Sequence, residues 1–194
     1  MRVLEWAGCT WSTPVFIGPG SGSGYVYALR WYGTNLYFGG GFSGFGADYI
    51  AKRSGTNISQ VGNGLDFAGS SEPEWPYYPG VNTIQFIDGD LYIGGAFISA
   101  GNDTNIQFIA KLAGSSTNWS RVGTNSLNGT VRAIAEFGDV LYAGGDFTNA
   151  SSPYLAKLVN GQWQALGNGV NGPVRALTVH GGRLFGRQLC GRDE

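Results

Sequence analysis

The sequence predicts an all-β fold, a β-propeller built of four-stranded antiparallel blades. The pattern Leu-Tyr-x-Gly-Gly-x-Phe occurs three times, at residues 36–42, 91–97 and 141–147, and the residues around each copy repeat as well. Self-similarity at a fixed period is typical of solenoids and propellers. Short runs that alternate apolar with polar residues, separated by turn residues, indicate strands rather than helices. About three full blades and a partial blade at each end are therefore expected.

The chain is expected to open in the middle of a blade. Residues 3–6 and Trp11-Ser12 match the third and fourth strands of the repeat, so residues 1–18 predict a partial blade. The first full blade, residues 25–62, contains the first copy of the motif. Its predicted strands are Tyr25–Arg30, Leu36–Phe42, Tyr49–Arg53 and Ile58–Val61, with a turn at Gly33–Asn35.

The segment Asp66–Gly80 departs most from the repeat. Loops on a rigid scaffold often hold binding residues, and aromatic side chains here can stack on a sugar ring or a partner surface while carboxylates accept hydrogen bonds. The alternative is a proline-stiffened connector whose aromatic residues pack on the neighbouring blade. The candidate binding residues are Glu72, Glu74, Trp75, Tyr77 and Tyr78.

Two further full blades are predicted at residues 81–123 and 131–167. Adjacent glycines that end each second strand are expected where strands crowd too closely for a side chain, and Phe147 is expected to turn back into the core. The predicted strands are Val81–Phe86, Leu91–Phe97, Phe108–Leu112, Trp119–Val122, Val131–Glu136, Val140–Ala143, Tyr154–Leu158 and Trp163–Leu166, with tight turns at Asp88-Gly89, Gly138-Asp139 and Asn160-Gly161. The residues assigned to this structural motif are Gly39, Gly40, Phe42, Gly94, Gly95, Phe97, Gly144, Gly145, Phe147, Trp119 and Trp163.

Residues 174–185 supply a first and a second strand, so with residues 1–18 they can form a shared blade that latches a four-bladed ring. A second explanation starts from the residues after Phe185, where the repeat requires x-Gly-Gly-x-Phe. The genetic code allows a set of codons for residues 186–194 that, when read one base later, encode Gly-Gly-Asn-Phe-Ala-Gly-Ala-Thr. This shifted reading contains the missing motif and the loop that follows it. We therefore expect that two nucleotides were lost after the Phe185 codon, that residues 186–194 are an out-of-frame tail, and that the natural protein continues with further blades. Residues 1–185 are then one propeller domain or a propeller fragment.

Three features of the repeat together resemble the kelch-type propeller repeat. They are an apolar strand that ends in Gly-Gly, an aromatic residue on the next strand and a tryptophan on the last strand. The pattern is also similar to uncharacterised bacterial surface-protein propeller repeats with Trp-x-x-Leu-Gly. The resemblance implies the propeller fold, but kelch-like propellers serve as binding scaffolds, structural modules and, in some members, oxidases. The residues that carry it are Tyr49, Phe108, Tyr154, Trp119 and Trp163, while Ile58 stands where the first blade would have its tryptophan.

The composition predicts a folded, weakly charged chain. Hydrophobic residues make up 42% of the sequence and charged residues 13%, with a formal net charge of −1. A nucleic-acid binder would carry a basic surface, and no segment is apolar enough to span a bilayer, so neither nucleic acid nor membrane insertion is expected. Low charge with many Asn, Ser, Thr and Gly residues favours an exported or cell-surface protein, although residues 1–6 lack the features of a signal peptide.

No catalytic residue, cofactor or metal site is predicted. One histidine, His180, and two distant cysteines are too few for a metal site or a Ser-His-Asp site, and they cannot supply the Tyr and His copper ligands of kelch-like oxidases. Asp88, Asp90 and Asp139 lie at hairpin turns, whose chemistry explains them. The polar segment Asn102–Asn105 could offer oxygen atoms to calcium, but it lacks the EF-hand spacing and predicts a loop.

The preferred hypothesis is a non-enzymatic binding or structural module of a larger exported or surface protein, which recognises a protein or carbohydrate surface. One alternative is a carbohydrate-active propeller enzyme, a glycoside hydrolase or lyase that uses acidic residues. The other is a gene fragment without independent function. A funnel lined by facing carboxylates would favour the enzyme, and an uncharged channel would favour the module.

Overall fold

The computed structural model describes residues 2–6, 11–16, 24–44, 47–67, 80–148 and 153–188, with side chains from residue 24 onward. Every regular element in these ranges is a β-strand, which confirms the predicted all-β class. These ranges accordingly hold no helix that is long and apolar enough to cross a membrane.

The described strands form three four-stranded antiparallel sheets and three two-stranded pairs. One pair is β1 (Arg2–Trp6) with β2 (Trp11–Phe16). Sheet I comprises β3 (Tyr25–Tyr32), β4 (Asn35–Gly41), β5 (Ile50–Ser54) and β6 (Asn57–Gln60). The second pair is β7 (Leu65–Phe67) with β10 (Phe97–Ala100). Sheet II comprises β8 (Val81–Ile87), β9 (Asp90–Gly95), β11 (Ile109–Leu112) and β12 (Trp119–Arg121). Sheet III comprises β13 (Val131–Phe137), β14 (Val140–Gly145), β15 (Leu155–Val159) and β16 (Gln162–Ala165), and the last pair is β17 (Val174–His180) with β18 (Arg183–Gln188).

The first two strands of each unit are joined by a tight hairpin turn, as predicted. Both central residues of the turn have positive φ at Asp88-Gly89, Gly138-Asp139 and Gly181-Gly182. This is the geometry of a type I′ turn, whose twist matches that of the flanking strands. In these three units the turn fixes the register of the hairpin from the same end.

Each of the four first strands carries a β-bulge at the same place. The register shifts once in each strand, between the valine and the second residue after it. An extra residue in one strand bends it and re-aims its side chains. The bulges lie between Val26 and Ala28, Val81 and Thr83, Val131 and Ala133, and Val174 and Ala176.

In three of the four units the valine next to the bulge packs on the first glycine of the Gly-Gly pair in the preceding sheet. A Cβ atom at Gly144 would lie 2.5 Å from Val174 Cγ1, which is closer than side-chain carbons approach in folded proteins. The same contact recurs at Gly94 with Val131, at 2.6 Å, and at Gly39 with Val81, at 2.7 Å. We call each of these a valine–glycine junction; successive sheets stack through it.

The second glycine of each pair is required within its own sheet. A Cβ atom at Gly145 would overlap the carbonyl oxygen of Thr130, and Gly40 and Gly95 meet the corresponding carbonyls of Tyr25 and Gly80. The first and second strands of each sheet therefore lie closest to each other where the β-bulge shifts their register. The two glycines have different partners, although they are adjacent in the sequence.

The aromatic residue expected to begin the third strand lies just before that strand, in a left-handed conformation. Tyr154 has φ 69°, its N–H donates to the carbonyl of Phe147 at 2.9 Å, and its carbonyl accepts from the N–H of Gly145 at 3.1 Å. Tyr49 and Phe108 have the same φ sign and make the same two bonds. Positive φ costs a bulky residue about 1–3 kcal/mol, so these two bonds hold the backbone in a conformation that the strand pattern did not predict.

The phenylalanine that closes the motif leaves the second strand. Phe42, Phe97 and Phe147 are buried, whereas β4, β9 and β14 end before them. In the second unit Phe97 begins β10, which pairs with β7. The sequence predicted neither of these two strands, and β7 occupies the first part of the segment interpreted as an insertion.

Trp163 packs across the boundary between two sheets. Its indole N–H donates to the carbonyl of Val122, at the end of sheet II, at 2.8 Å. The indole ring of Trp119 lies against Gly62 at the end of sheet I, so closely that a Cβ at Gly62 would overlap it. Both tryptophans are buried and join consecutive sheets.

A tyrosine of the second strand faces a lysine of the third strand in every four-stranded sheet. The pairs are Tyr37 with Lys52, Tyr92 with Lys111, and Tyr142 with Lys157. In sheet II a carboxylate joins them: Lys111 Nζ lies 2.5 Å from Asp90 Oδ2 and 5.6 Å from the centre of the Tyr92 ring. The hydrogen bond between Lys111 and Asp90 lowers the pKa of the Asp90 carboxyl group and raises the pKa of Lys111.

We expect Gly144→Ala to destabilise the protein by about 1–3 kcal/mol because the new methyl group overlaps Val174 at the valine–glycine junction. Val174→Ala leaves a cavity on its own, but it makes room for that methyl group. The double variant should therefore lose less stability than the sum of the single variants, measured as free energies of unfolding in urea. Strictly additive losses would contradict the junction.

We expect the stabilisation from Asp90 to disappear on acidification. A carboxyl group whose pKa is lower in the folded state stabilises that state above its ordinary pKa of 3.8, and the contribution is lost as the pH falls through the folded pKa. The difference in urea midpoint between wild type and Asp90→Asn should thus shrink from pH 6 to pH 2. Asp88→Asn, in the same hairpin, is the control for the change in net charge. A difference that does not depend on pH would contradict the ion pair.

Candidate functional site

The first strands of the successive units lie side by side. β3 contacts β8, β8 contacts β13, and β13 contacts β17. Together they line an open groove of about 250 Å³. We call it the central groove.

One residue from the same position of each unit lines the central groove. Arg30, Gln85, Ala135 and Thr178 each stand two residues before the end of their first strand. Arg30 and Thr178 are exposed, and Gln85 is half-buried. The side chain of Gln85 donates to the carbonyl of Ile134 at 3.2 Å, so it also ties sheet II to sheet III.

The next position along three of the first strands adds one negative charge to an otherwise apolar wall. Phe86, Glu136 and Val179 line the groove there. Phe86 is stacked on Tyr32, with ring centres 3.9 Å apart, and meets Tyr37 edge-on at 4.9 Å. The groove thus offers an aromatic wall with a cation and a carboxylate on different strands, which suits a ligand with both apolar and polar groups.

The groove position holds a different residue in each copy of the repeat. The valine at each bulge is identical in all four units, and the residue three positions later is always Leu or Ile. In sheets II and III the valine and the isoleucine at these positions are buried. The four groove positions hold Arg, Gln, Ala and Thr, which indicates that packing does not dictate them.

Comparing the four first strands position by position would have found the central groove from the sequence. Arg30, Gln85 and Thr178 belong to no known motif and to no unusual loop, and Glu136 was predicted only as part of a strand.

The predicted binding residues of the 66–80 segment, Glu72, Glu74, Trp75, Tyr77 and Tyr78, lie outside the described residues. The structure fixes both ends of that segment. Phe67 packs on Tyr49 with ring centres 4.1 Å apart and meets Phe97 edge-on at 6.3 Å. At the other end the carbonyl of Gly80 accepts a hydrogen bond from the N–H of Ala96 at 3.2 Å.

Asp103, which was considered for calcium, and Asp146, which the sequence analysis did not single out, both have local partners. Asp103 Oδ1 accepts bonds from the backbone and side-chain nitrogen atoms of Asn105, both at 2.9 Å, and these bonds lower the pKa of Asp103. Asp146 Oδ2 lies 2.5 Å from Arg132, and its Oδ1 lies 3.8 Å from Arg175. In the described part of the chain, no three His, Cys, Asp or Glu residues are grouped as metal ligands would be.

No protein-family model matches the chain. Over 137 residues, 68% of its length, it is 35% identical to the polarized growth protein L1 of a Phoma species, of which it spans 9%. Among solved structures it is similar to the computationally designed Ika8 protein, with a TM-score of 0.49 and 15% identity over 84% of this chain and 42% of that one. The designed Ika4 protein gives a TM-score of 0.45 and 13% identity over 86% of this chain and 92% of that one.

Proposed function

We propose that the chain is a kelch-like, propeller-type recognition module that binds a ligand in its central groove and carries out no reaction itself. The three sheets and the flanking pairs are its blades. The repeated valine–glycine junctions and the neighbouring first strands support this architecture, because a propeller stacks its blades face to face around their first strands.

The observation that carries the proposal is the variability of the groove residues within one repeat. Four copies of the unit keep their packing residues and change the residue that lines the groove. A rigid frame with variable residues at one shared surface is how repeat proteins build binding sites. The relevant side chains are Arg30, Gln85, Glu136 and Thr178.

The ligand we propose is a polar chain with apolar faces, such as an oligosaccharide or an extended peptide of a surface protein. Arg30 and Glu136 can bond to hydroxyl, amide or charged groups, and charge-assisted hydrogen bonds are the strong ones. Phe86 offers a ring for stacking. We place the module in an exported or cell-surface protein, consistent with its low charge, and its similarity to a small part of a polarized growth protein suits a module of a longer chain.

We expect wild type to bind members of an oligosaccharide array or a peptide array, and Thr178→Trp, which fills the groove, to lose that binding. Arg30→Ala and Glu136→Gln should each weaken it roughly tenfold or more, because each removes a hydrogen bond to a charged group worth about 1.5–3 kcal/mol. Arg183→Ala, which removes an exposed arginine outside the groove, is the control. Unchanged binding by Thr178→Trp would overturn the groove as the site, and cleavage of a bound oligosaccharide would favour the enzyme instead.

The aromatic residues of the 66–80 segment are proposed as a second contact with the same ligand. We expect Trp75→Ala and Tyr77→Ala to weaken array binding while leaving the free energy of unfolding unchanged, because a stacking residue contributes only to the complex. Ser71→Ala, in the same segment, serves as the control. If binding stays intact and stability falls, these side chains pack on the protein as a connector.

A further inference from the structure

The fourth strand of each four-stranded sheet keeps one face exposed. In sheet II, which is stacked between sheets I and III, Asn118 and Ser120 are exposed while Trp119 between them is buried. Asn57 and Ser59 occupy the same positions of sheet I and are exposed as well. Residues two apart on a strand share a face. Because the enclosed sheet II shows the same exposure, it does not depend on where the described chain begins or ends.

An asparagine followed two residues later by Ser or Thr, with no proline between them, is the acceptor sequence for N-linked glycosylation. In the described part of the chain it begins at Asn57, Asn102, Asn118 and Asn128. The sugar is attached to the side-chain amide nitrogen of the asparagine, so a folded glycoprotein must leave that nitrogen accessible. The local contacts of these asparagines therefore distinguish them.

Three of these asparagines already have a structural role. Asn128 Nδ2 donates to Thr148 Oγ1 at 3.4 Å, and Asn128 Oδ1 accepts from the N–H of Thr148 at 2.8 Å. Asn118 Oδ1 accepts from Asn63 Nδ2 at 3.4 Å, a contact between sheet II and the end of sheet I. Asn102 lies in a turn with left-handed backbone, at φ 64°.

Asn57 has no such role. Its side chain and that of Ser59 make no hydrogen bond to any residue that the structure describes. Asn57 pairs with Ser54 across the turn that joins β5 to β6, so it lies at the tip of this hairpin. β6 is the last strand of sheet I, and its outer edge faces no further strand of that sheet. A glycan on Asn57 consequently displaces no contact of the fold.

We propose that Asn57 is a site of N-linked glycosylation, an inference that rests on the export proposed above. The Nδ2 atom of Asn57 forms a bond to the anomeric carbon of an oligosaccharide carried on a lipid diphosphate. The bond between that carbon and the diphosphate oxygen breaks, Nδ2 loses one proton, and the lipid diphosphate is released. Ser59 completes the acceptor sequence. The glycan extends beside the open edge of sheet I, and covering an edge strand protects it from pairing with other chains.

The test is secretion of the chain from a eukaryotic cell, followed by peptide N-glycosidase treatment in heavy-oxygen water. Release of the glycan converts its asparagine to an aspartate that carries the heavy oxygen, which mass spectrometry locates. We expect this label on Asn57. Asn57→Gln and Ser59→Ala should each abolish it, and Ser59→Thr should keep it because threonine also completes the acceptor sequence.

Asn168→Gln is the control, since it changes an exposed asparagine outside any acceptor sequence and should leave the label on Asn57. An unlabelled Asn57 in the secreted protein would overturn the proposal. A label that persists on Asn57 in the Ser59→Ala variant would overturn it too, because the modification would then not depend on the acceptor sequence.

Protein made in the bacterial cytoplasm, where this glycan is not attached, provides a second test. We expect Asn57→Gln to unfold at the same urea concentration as wild type, because the substitution removes no hydrogen bond. A clear loss of stability would show that the fold uses this amide, contrary to the proposal. Array binding by the same protein tests the central groove separately, since Asn57 lies on a fourth strand and the groove is lined by first strands.

Discussion

The contact of a bulge valine with a glycine of the preceding sheet is the interaction on which the rest of this structure depends. It requires a residue without a side chain in one sheet, such as Gly144, and a strand bent toward it in the next, as β17 is bent beside Val174. Because the two surfaces differ, each sheet can follow another in one direction only. The stacking order, the spacing of the first strands and the shape of the central groove all follow from this contact.

The sequence predicted the features that depend on local chemistry. Turn residues such as Asp88-Gly89 and the alternation in β13 are read from neighbours in the chain, and both lie where the pattern placed them. The two glycines of the motif were correctly interpreted as sites of close approach. Their separate partners could not be predicted, because the carbonyl of Thr130 and the side chain of Val174 are distant in the sequence and meet only in the folded protein.

The errors have a common physical origin. Tyr49, Phe108 and Tyr154 look like strand residues, since aromatic side chains favour strands, but backbone hydrogen bonds hold them in left-handed conformations. β7 and β10 were missed because each is stabilised by the other across thirty residues or more. The central groove was missed for the opposite reason. Arg30, Gln85, Ala135 and Thr178 occupy one position of the repeat but differ in chemistry, so no sequence motif identifies them.

The backbone bonds around these aromatic residues also separate the sheets from the loops. The carbonyl of the motif phenylalanine is bonded to the N–H of the left-handed residue in every four-stranded unit. The loops that this bond closes contain six residues after Phe42, ten after Phe97 and six after Phe147. This hydrogen bond joins the two residues that flank the loop and none within it. Lengthening a loop whose ends are already held together costs little entropy. The loop after Phe97 contains most of β10 and the buried Ala100 and Ile106, and the loop after Phe42 contains the buried Ala47. The loop after Phe147 is therefore the natural position for grafting foreign peptides, so that the protein can serve as a scaffold for displaying sequence libraries without redesign of its core.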